Sequence, residues 1–563
     1  MSGSFKCRLA DDIKDALLML KQYDYIVVGG GSAGCALAAR LSEDPDIEVL
    51  LVEAGPSRAR LHDRWRIDMP AAFDHIWQHP RYNWSYQGEP EPTLNGRSIF
   101  QPRGKILGGS STINGMCFVR GHALDFERWE NQGANGWSWN DVLPYFKRLE
   151  SWEGGESEYR GGSGPVAVKT GSLECPLYQH FLSAGEQAGY AYSDDINGAR
   201  QEGFAAFQMN VDRGVRASAA HAYIHPFAGR KNLTVADHSA AQRLMVEGNR
   251  VSGLHYRRHN KDVSVMAERE VILASGAIGS PQLLMLSGIG PSSHLAEHGI
   301  ACINDLPGVG QNLENHPLVY MTFSIDKPDS LAGLLRYDRM MLSGMRWMAS
   351  HTGPVATNNI ETCAFLRSDP AVGHPDVELQ LIPVIVDGNG TAVRNVHGFT
   401  YCMSALRIEA PGWVQLRSAK QADAPRIKSN FLSTSHDLKL MRRAVEIGDE
   451  IASQPAHRAL GVKEFGSREK YCSVGKMDEY LRANLSADFH LTGTCKMGRD
   501  AMSVVGSDLK VHGIEGLRVV DASIMPTIVS ANTNATTIMI AEKAADMILG
   551  RARLPKSNVR LPD

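Results

Sequence analysis

The stretch Tyr23–Gly55, YDYIVVGGGSAGCALAARLSEDPDIEVLLVEAG, decides the fold. Tyr25 to Val28 is a short, β-branched apolar run and predicts a buried strand. Gly29, Gly31 and Gly34 follow as G-x-G-x-x-G. Ser32 and Ala33 stand between the last two glycines, at the start of an Ala- and Leu-rich run to Ser42 that predicts a helix. Glu48–Val52 predicts a second strand, ending at Glu53. In such a unit the first glycine allows a tight turn. The second lets backbone amides approach a pyrophosphate, and the third packs the helix on the strand. The helix N-terminus carries partial positive charge for the phosphates. Glu53 lies 19 residues past Gly34, close to the roughly 20 at which an acid accepts from a ribose diol. It disfavours a 2′-phosphate, and hence NADP. This unit alone leaves NAD and FAD open.

At 563 residues the chain exceeds one hydrophobic core. An apolar fraction of 43% and a charged fraction of 21% describe a globular protein. The net charge of −3 favours neither nucleic acid nor an anionic membrane. Nine cysteines are scattered without a C-x-x-C, which argues against a disulfide framework or zinc site and for a reducing compartment. Acids in the first 22 residues break any signal-peptide core, and no apolar run reaches the roughly 18 residues of a spanning helix. A cytoplasmic location is therefore expected. Ile13, Leu17 and Leu20 share a helical face. That face predicts docking on the protein's own surface, with peripheral membrane contact or homo-oligomerisation as the alternatives.

Two further segments repeat the theme of small residues. GKILGGSSTINGMCFVRGHALDFERW, from Gly104, holds a turn at Gly108–Ser111 followed by Asn114 and Gly115. Small side chains there let a flat ring lie against the backbone, with amides and Asn114 as partners. EVILASGAIGSPQLLMLSGIG, from Glu270, predicts a strand at Val271–Ala274, a turn, and an apolar helix begun near Pro281 and ended by Gly288. With no second acid-bearing fingerprint, it predicts a return into the nucleotide domain.

Together with GPVATN at Gly353–Asn358, IEAPGWVQLRS at Ile408–Ser418 and the tail from His490, these motifs resemble the glucose–methanol–choline (GMC) family of FAD-dependent oxidoreductases. Its choline-dehydrogenase-like branch is the nearest in wording. The resemblance implies an α/β, Rossmann-like FAD-binding domain and a second, α+β substrate domain on an antiparallel sheet. The first would take residues 20–165, 210–315 and 485–550. The second would take 316–484 with about 166–209. It implies FAD held by Gly29, Gly31, Ser32, Ala33, Gly34 and Glu53, with Gly109, Ser110, Asn114 and Gly115 near the isoalloxazine. Ala241 stands where the family usually has a valine on the adenine side. Ile113 occupies the place where some members tether the flavin through histidine, so non-covalent FAD is expected.

The C-terminal part, GIEGLRVVDASIMPTIVSANTNATTIMIAEKAADMIL, predicts a strand at Leu517–Val520. Asp521 and Ala522 end it beside the cofactor, and a helix follows over Thr536–Leu549. In the family a histidine before x-x-G-T is catalytic, and a histidine or asparagine follows in N-x-N. His490, in DFHLTGTCKMG, and Asn532 match these places, and Asn532 also lies at the cofactor. Ala531 and Thr536 depart from the family's Gly and Pro around that loop. Alcohol oxidation needs a proton acceptor and a stabiliser of developing alkoxide charge. Imidazole and carboxamide supply both.

His221 and His225 have i, i+4 spacing but no acidic third ligand nearby, so no metal site is expected. Cys495 is expected to be a packing residue. Strands are expected at Val377–Val386 and in GWVQLRS, a helix at Leu438–Ala452, and a loose polar tail after Arg551. Leu331–Ala349, LAGLLRYDRMMLSGMRWMA, predicts a helix packed on the substrate-domain sheet, with a substrate-access or acceptor surface as the alternative. The expected activity is oxidation of a primary alcohol or polyol, with electrons passed to a quinone-like acceptor. Oxidase activity with O₂ is the nearest alternative, and a lyase or photodecarboxylase a more distant one.

Overall fold

The computed structural model describes residues 22–387, 390–465 and 473–561. The face marked by Ile13, Leu17 and Leu20 lies outside the described residues. The apolar run Tyr23–Val28 forms the strand its composition predicts, and Val49–Val52 pairs with it in parallel, Val27 opposite Leu51. Leu233–Ala236 pairs in parallel on the far side of Val49–Val52. On the other side lies Lys261–Leu273, with Val27 opposite Ile272, and then Leu517–Val519, both parallel. The strand expected at Val271–Ala274 is thus the end of a 13-residue strand that returns to the first one. Its front half extends beyond the parallel sheet into a meander with Ser239–Glu247 and Arg250–Arg258.

Helix Ser32–Leu41 packs its small residues on this sheet. An added Cβ on Gly34 would stand 1.8 Å from the Gly29 carbonyl oxygen, and one on Gly29 would stand 2.6 Å from that of Ala274. Neither position accepts a side chain, because three backbone segments meet there. Gly29 also sits at φ +106°, the left-handed region. At Gly31 the nearest atom to an added Cβ is 3.8 Å away, so no part of this chain demands glycine there.

The second sheet is antiparallel. Across it run Pro317–Ser324, Gly398–Ala405, Val377–Ile382, Thr362–Leu366 and Gly203–Ala206. Lys463–Glu464 and Ser486–Ala487 add to the outer side of Pro317–Ser324. The period-two alternation of strands gives the sheet two different faces. Val319, Met321, Phe323, Leu379, Leu381 and Met403 point to one core with helix Ser435–Ala452. Thr434 caps that helix by accepting from the Asp437 N–H, three residues into it. Leu318, Tyr320, Gln380, Ile382 and Cys402 point the other way, into a cavity shared with the first sheet.

Several expectations shift in detail. Val377–Val386 stops at Ile382, because Pro383 cannot donate to the ladder. Trp413–Gln415 forms its own ribbon with Arg426–Lys428. The tail after Arg551 has no regular structure but is not loose. Ser557 N–H donates to the Asn140 carbonyl, Lys556 pairs with Asp141, and Val559 is buried. Leu331–Ala349 is a short 3₁₀ turn, Leu331–Leu335, followed by helix Tyr337–Ser350. Of that helix only Trp347 is buried. Its methionines rim the cavity instead of packing on the sheet. All seven described cysteines are free, Cys495 fully buried among them. No helix of the described residues is long and apolar enough to cross a membrane.

Steric contact at the glycine turn separates two neighbouring substitutions. Gly34→Ala is expected to lower the unfolding free energy by about 3 kcal/mol or more, the upper range for overpacking against backbone. Gly31→Ala is expected to stay within about 0.5 kcal/mol of wild type. Urea denaturation of the flavin-free protein measures both; equal losses would contradict the packing described.

Candidate active site

The loop between the first strand and helix Ser32–Leu41 opens onto a cavity of about 940 Å³ that runs past the second sheet to the surface. Gly29, Gly31, Ser32, Ala33 and Glu53 line one end. Gly34 lies beneath, with its Cα facing the Gly29 carbonyl. Glu53 is buried, accepting from the Gly30 and Gly55 N–H groups at 2.8 and 2.7 Å. Burial pushes its pKa up to about 7 despite those bonds. Ala241, half-buried on its strand, lines the same end.

Gly109, Ser110, Asn114 and Gly115 line the middle. Gly109 has φ +54°, and a Cβ on it would meet the Gly31 Cα at 2.7 Å. The buried Arg216 holds this loop. Its guanidinium donates to the Ser111 and Asn114 carbonyls and to Asn114 Oδ1. Met116 N–H also donates to that Oδ1. Asn114 therefore has its oxygen committed to protein donors.

Asp521 and Ala522 also line the cavity, at the end of strand Leu517–Val519. Asp521 is engaged on both oxygens. Oδ2 accepts from Gly276 N–H and Ser280 Oγ, and Oδ1 accepts from Ser523 N–H. It ties the turn after the long strand to the C-terminal segment. Ser32 and Asn534 join the same region, Oγ donating to Oδ1 at 2.7 Å.

His490 and Asn532 meet at the wall of this cavity. Asn532 Nδ2 stands 3.2 Å from His490 Nε2, and His490 Nδ1 stands 3.0 Å from His316 Nδ1. An amide NH₂ only donates, so His490 Nε2 carries the lone pair. Its proton is then on Nδ1 and donates to His316. Asn315 Oδ1 accepts from the His490 backbone N–H at 2.7 Å and fixes the segment. The Asp488 carboxylate lies 3.7 Å from Nδ1, on the ring edge away from Asn532. Burial, and next the nearby Arg103 charge, lower the His490 pKa to about 3. Burial, then His490 itself, lower His316 to about 3. The pair is therefore neutral at physiological pH.

Asn532 is placed by a second set of contacts. It directly precedes helix Thr533–Ile548, which begins three residues earlier than Thr536, and makes no side-chain capping bond to it. Two residues before it, Ser530 donates N–H and Oγ to the two oxygens of the buried Asp125 at 2.7 and 2.9 Å. His374 and Arg128 also contact Asp125. These partners, led by the His374 hydrogen bond, hold the Asp125 carboxylate well below the usual range against its burial. The Asn532 Oδ1 is buried without a protein partner among the described residues.

His316 and Asp125 carry no motif, and neither was singled out from sequence. His316 follows a turn far from His490 in the chain, and Asp125 sits on an ordinary helix, Ala123–Asn131. A buried histidine next to N-H-P in a loop is the only local signal, and it is weak. His221 lies on a π-helical turn, Ala220–Ile224, with Nε2 3.3 Å from Asp212.

The GMC oxidoreductase N-terminal model matches residues 23–318, and the C-terminal one matches 409–541. The chain belongs to the GMC oxidoreductase family. It is 42% identical over 543 residues to mouse "Choline dehydrogenase, mitochondrial", covering 96% of this chain and 91% of that one. It is 43% identical over 540 residues to the "Oxygen-dependent choline dehydrogenase" of Photobacterium profundum, covering 95% and 94%. Among solved structures it resembles pyridoxine 4-oxidase from Mesorbium loti, at 31% identity and TM-score 0.84, covering 94% and 100%. Formate oxidase is similar at 27% identity and TM-score 0.88, covering 94% and 98%.

GMC oxidoreductases are FAD flavoproteins, and FAD is the cofactor of this chain. The residues present fit it. A glycine that the protein's own packing leaves free stands at Gly31, a buried acid stands at Glu53, and the long cavity joins both to His490.

The depressed imidazole pKa has a stability consequence. The unfolded chain takes up protons below pH ~6.5 that the folded pair refuses, so stability present above that pH is lost as pH falls toward 3. His316→Gln removes one such site. It is expected to flatten the acid-side loss by about 1.4 kcal/mol per pH unit between roughly pH 6 and 4. Urea titrations at several pH values with excess FAD measure this; parallel curves would contradict a buried neutral His316.

Proposed function

We propose that this chain oxidises a primary alcohol to the aldehyde, with His490 as general base and Asn532 as the hydrogen-bond donor to the substrate oxygen. The supporting observation is the 3.2 Å approach of Asn532 Nδ2 to an unprotonated His490 Nε2 on the wall of the cavity. A hydroxyl entering between them gives its proton to Nε2 and accepts from Nδ2 as negative charge develops. FAD, when bound, supplies the hydride acceptor at its N5. The new imidazolium is stabilised from behind by Asp488 and by the bond to His316 Nδ1.

The cofactor contacts are proposed as follows. Gly29, Gly31 and Gly34, with the Ser32–Ala33 amides, hold the pyrophosphate, and Glu53 holds the ribose diol. Gly109, Ser110, Asn114 and Gly115 face the ring, and Ala241 faces the adenine side. Asp521 orders Ala522 near the ring through its own protein bonds and not by direct contact. Ile113 lines the cavity at the place of a histidine tether, so FAD is proposed to be non-covalent.

Substrate class is read from the walls of the cavity that His490 lines. Leu318, Ile382, Leu331, Leu334 and Val384 are apolar, and Tyr320, Gln380 and Cys402 are uncharged. Burial, and then the neighbouring Asp488, push Glu378 up to about 8. The same burial raises Asp488, so the two carboxyl groups resist carrying two charges at once. Asp488 remains the nearby carboxylate, and it lies behind the base and accepts from Ser404 Oγ. Asp74 and the rings of Phe73, Trp77 and Phe489 also line the cavity, so its walls suit a primary alcohol that carries apolar or cationic groups.

The acceptor is proposed to be quinone-like. Reaction with O₂ is the second possibility, favoured by the names of the oxygen-dependent choline dehydrogenase and pyridoxine 4-oxidase relatives. Peroxide release under air separates the two.

Anaerobic bleaching of the flavin tests the proposal. His490→Ala is expected to keep its flavin but reduce it at least about 10²-fold more slowly, the lower range for a general base. Wild type is expected to be bleached by at least one primary alcohol among choline and neutral aliphatic and aromatic compounds. Unchanged rates in the variant would remove the base, and no bleaching by any primary alcohol would overturn the activity.

A further inference from the structure

Helix Tyr337–Ser350 presents an apolar stripe to solvent. Tyr337, Met341, Met345 and Met348 recur at spacings of four, four and three, so they share one face. They are 78, 61, 49 and 64% exposed, and Leu342 beside them is 59% exposed. The buried Trp347 points to another side, where it packs with Met69 and Ala72. That contact brings the helix against segment 57–75, which exposes Leu61 (79%) and Trp65 (36%). Seven of the fourteen exposed large apolar side chains of the described residues stand on these two segments. Contiguous exposure of this kind marks an interaction surface.

The same two segments are cationic. Arg336, Arg339 and Arg346 belong to one, and Arg58, Arg60, Arg64 and Arg66 to the other. Their acids are four, Asp63, Asp68, Asp74 and Asp338. Asp63 is buried against Tyr82 and Arg66, and Asp338 pairs with Arg336. Arg394 adds a further positive charge over the Tyr337 ring. This surface is thus positive on a chain whose net charge is −3. Met341, Met345, Met348 and Trp65 also line the cavity, so the patch surrounds its mouth.

We propose that this rim docks on an anionic phospholipid bilayer, with the apolar stripe in the headgroup boundary and the cavity mouth opening toward lipid. Arginines flanking a Met-, Leu- and Trp-bearing stripe are the signature of an interfacial helix. Long basic side chains reach back to the phosphates. A second copy of the chain is a poorer occupant. An isologous pairing would set the arginine cluster against itself. The inference is independent of the proposed activity, which serves below only as a control on folding.

Flotation of the FAD-loaded protein tests it. Vesicles of phosphatidylcholine alone are compared with an equal mixture with phosphatidylglycerol. Binding to the mixed vesicles is expected to exceed binding to neutral ones by at least about tenfold and to fall with salt. Leu342→Asp and Arg339→Glu, neither of which lines the cavity, are each expected to weaken it at least about fivefold. Flavin spectrum and turnover with a water-soluble dye are expected to stay unchanged in both. Equal binding to both vesicle types, or no binding, would overturn the proposal. So would variants that bind as wild type, or a dimer in light scattering that Leu342→Asp dissolves.

Discussion

The site depends on one constraint, the low-dielectric setting of a histidine pair, with His316 buried and His490 at the cavity wall. His490 and His316 face each other through their Nδ1 atoms at 3.0 Å, and burial holds both imidazoles neutral. Only one proton can lie between two such atoms. The Asn532 amide assigns that proton to His490 Nδ1, which leaves a lone pair on the nitrogen beside Asn532. Antiparallel strand Pro317–Ser324 begins immediately after His316. Asn315 accepts from the His490 backbone. The second sheet thus places the proposed base as firmly as the first sheet places the nucleotide turn.

The two sheets meet the cavity by different means. The parallel sheet presents strand ends and glycine turns, where backbone approaches backbone closely. The antiparallel sheet presents alternate side chains of a face whose reverse packs on helix Ser435–Ala452. Substitutions on the cavity side therefore alter pocket chemistry without opening the core behind it. Asp125 connects the systems, because it fixes Ser530 and with it the start of the last helix.

Much of this was legible because its signals are local. The turn Gly29–Gly34 shows its flanking strands and its acid within one short stretch, and the segments at Gly109 and Asp521 read as small-residue turns. His490 and Asn532 were legible only through family resemblance, since neither position advertises the other. His316 and Asp125 were not legible. Their partners lie 174 and 405 residues away in the chain, and nothing in a single sequence encodes such a pairing. The apolar helix Tyr337–Ser350 was expected to pack on the sheet. Periodicity reports that a face is apolar but not whether protein covers it.

The most direct measurement is the ¹⁵N resonance pair of the His490 imidazole in the oxidised, FAD-loaded protein at neutral pH, assigned against His490→Gln. The account predicts a neutral ring, protonated at Nδ1, with an unprotonated, pyridine-type Nε2. An imidazolium, or a ring carrying its proton on Nε2, would contradict it.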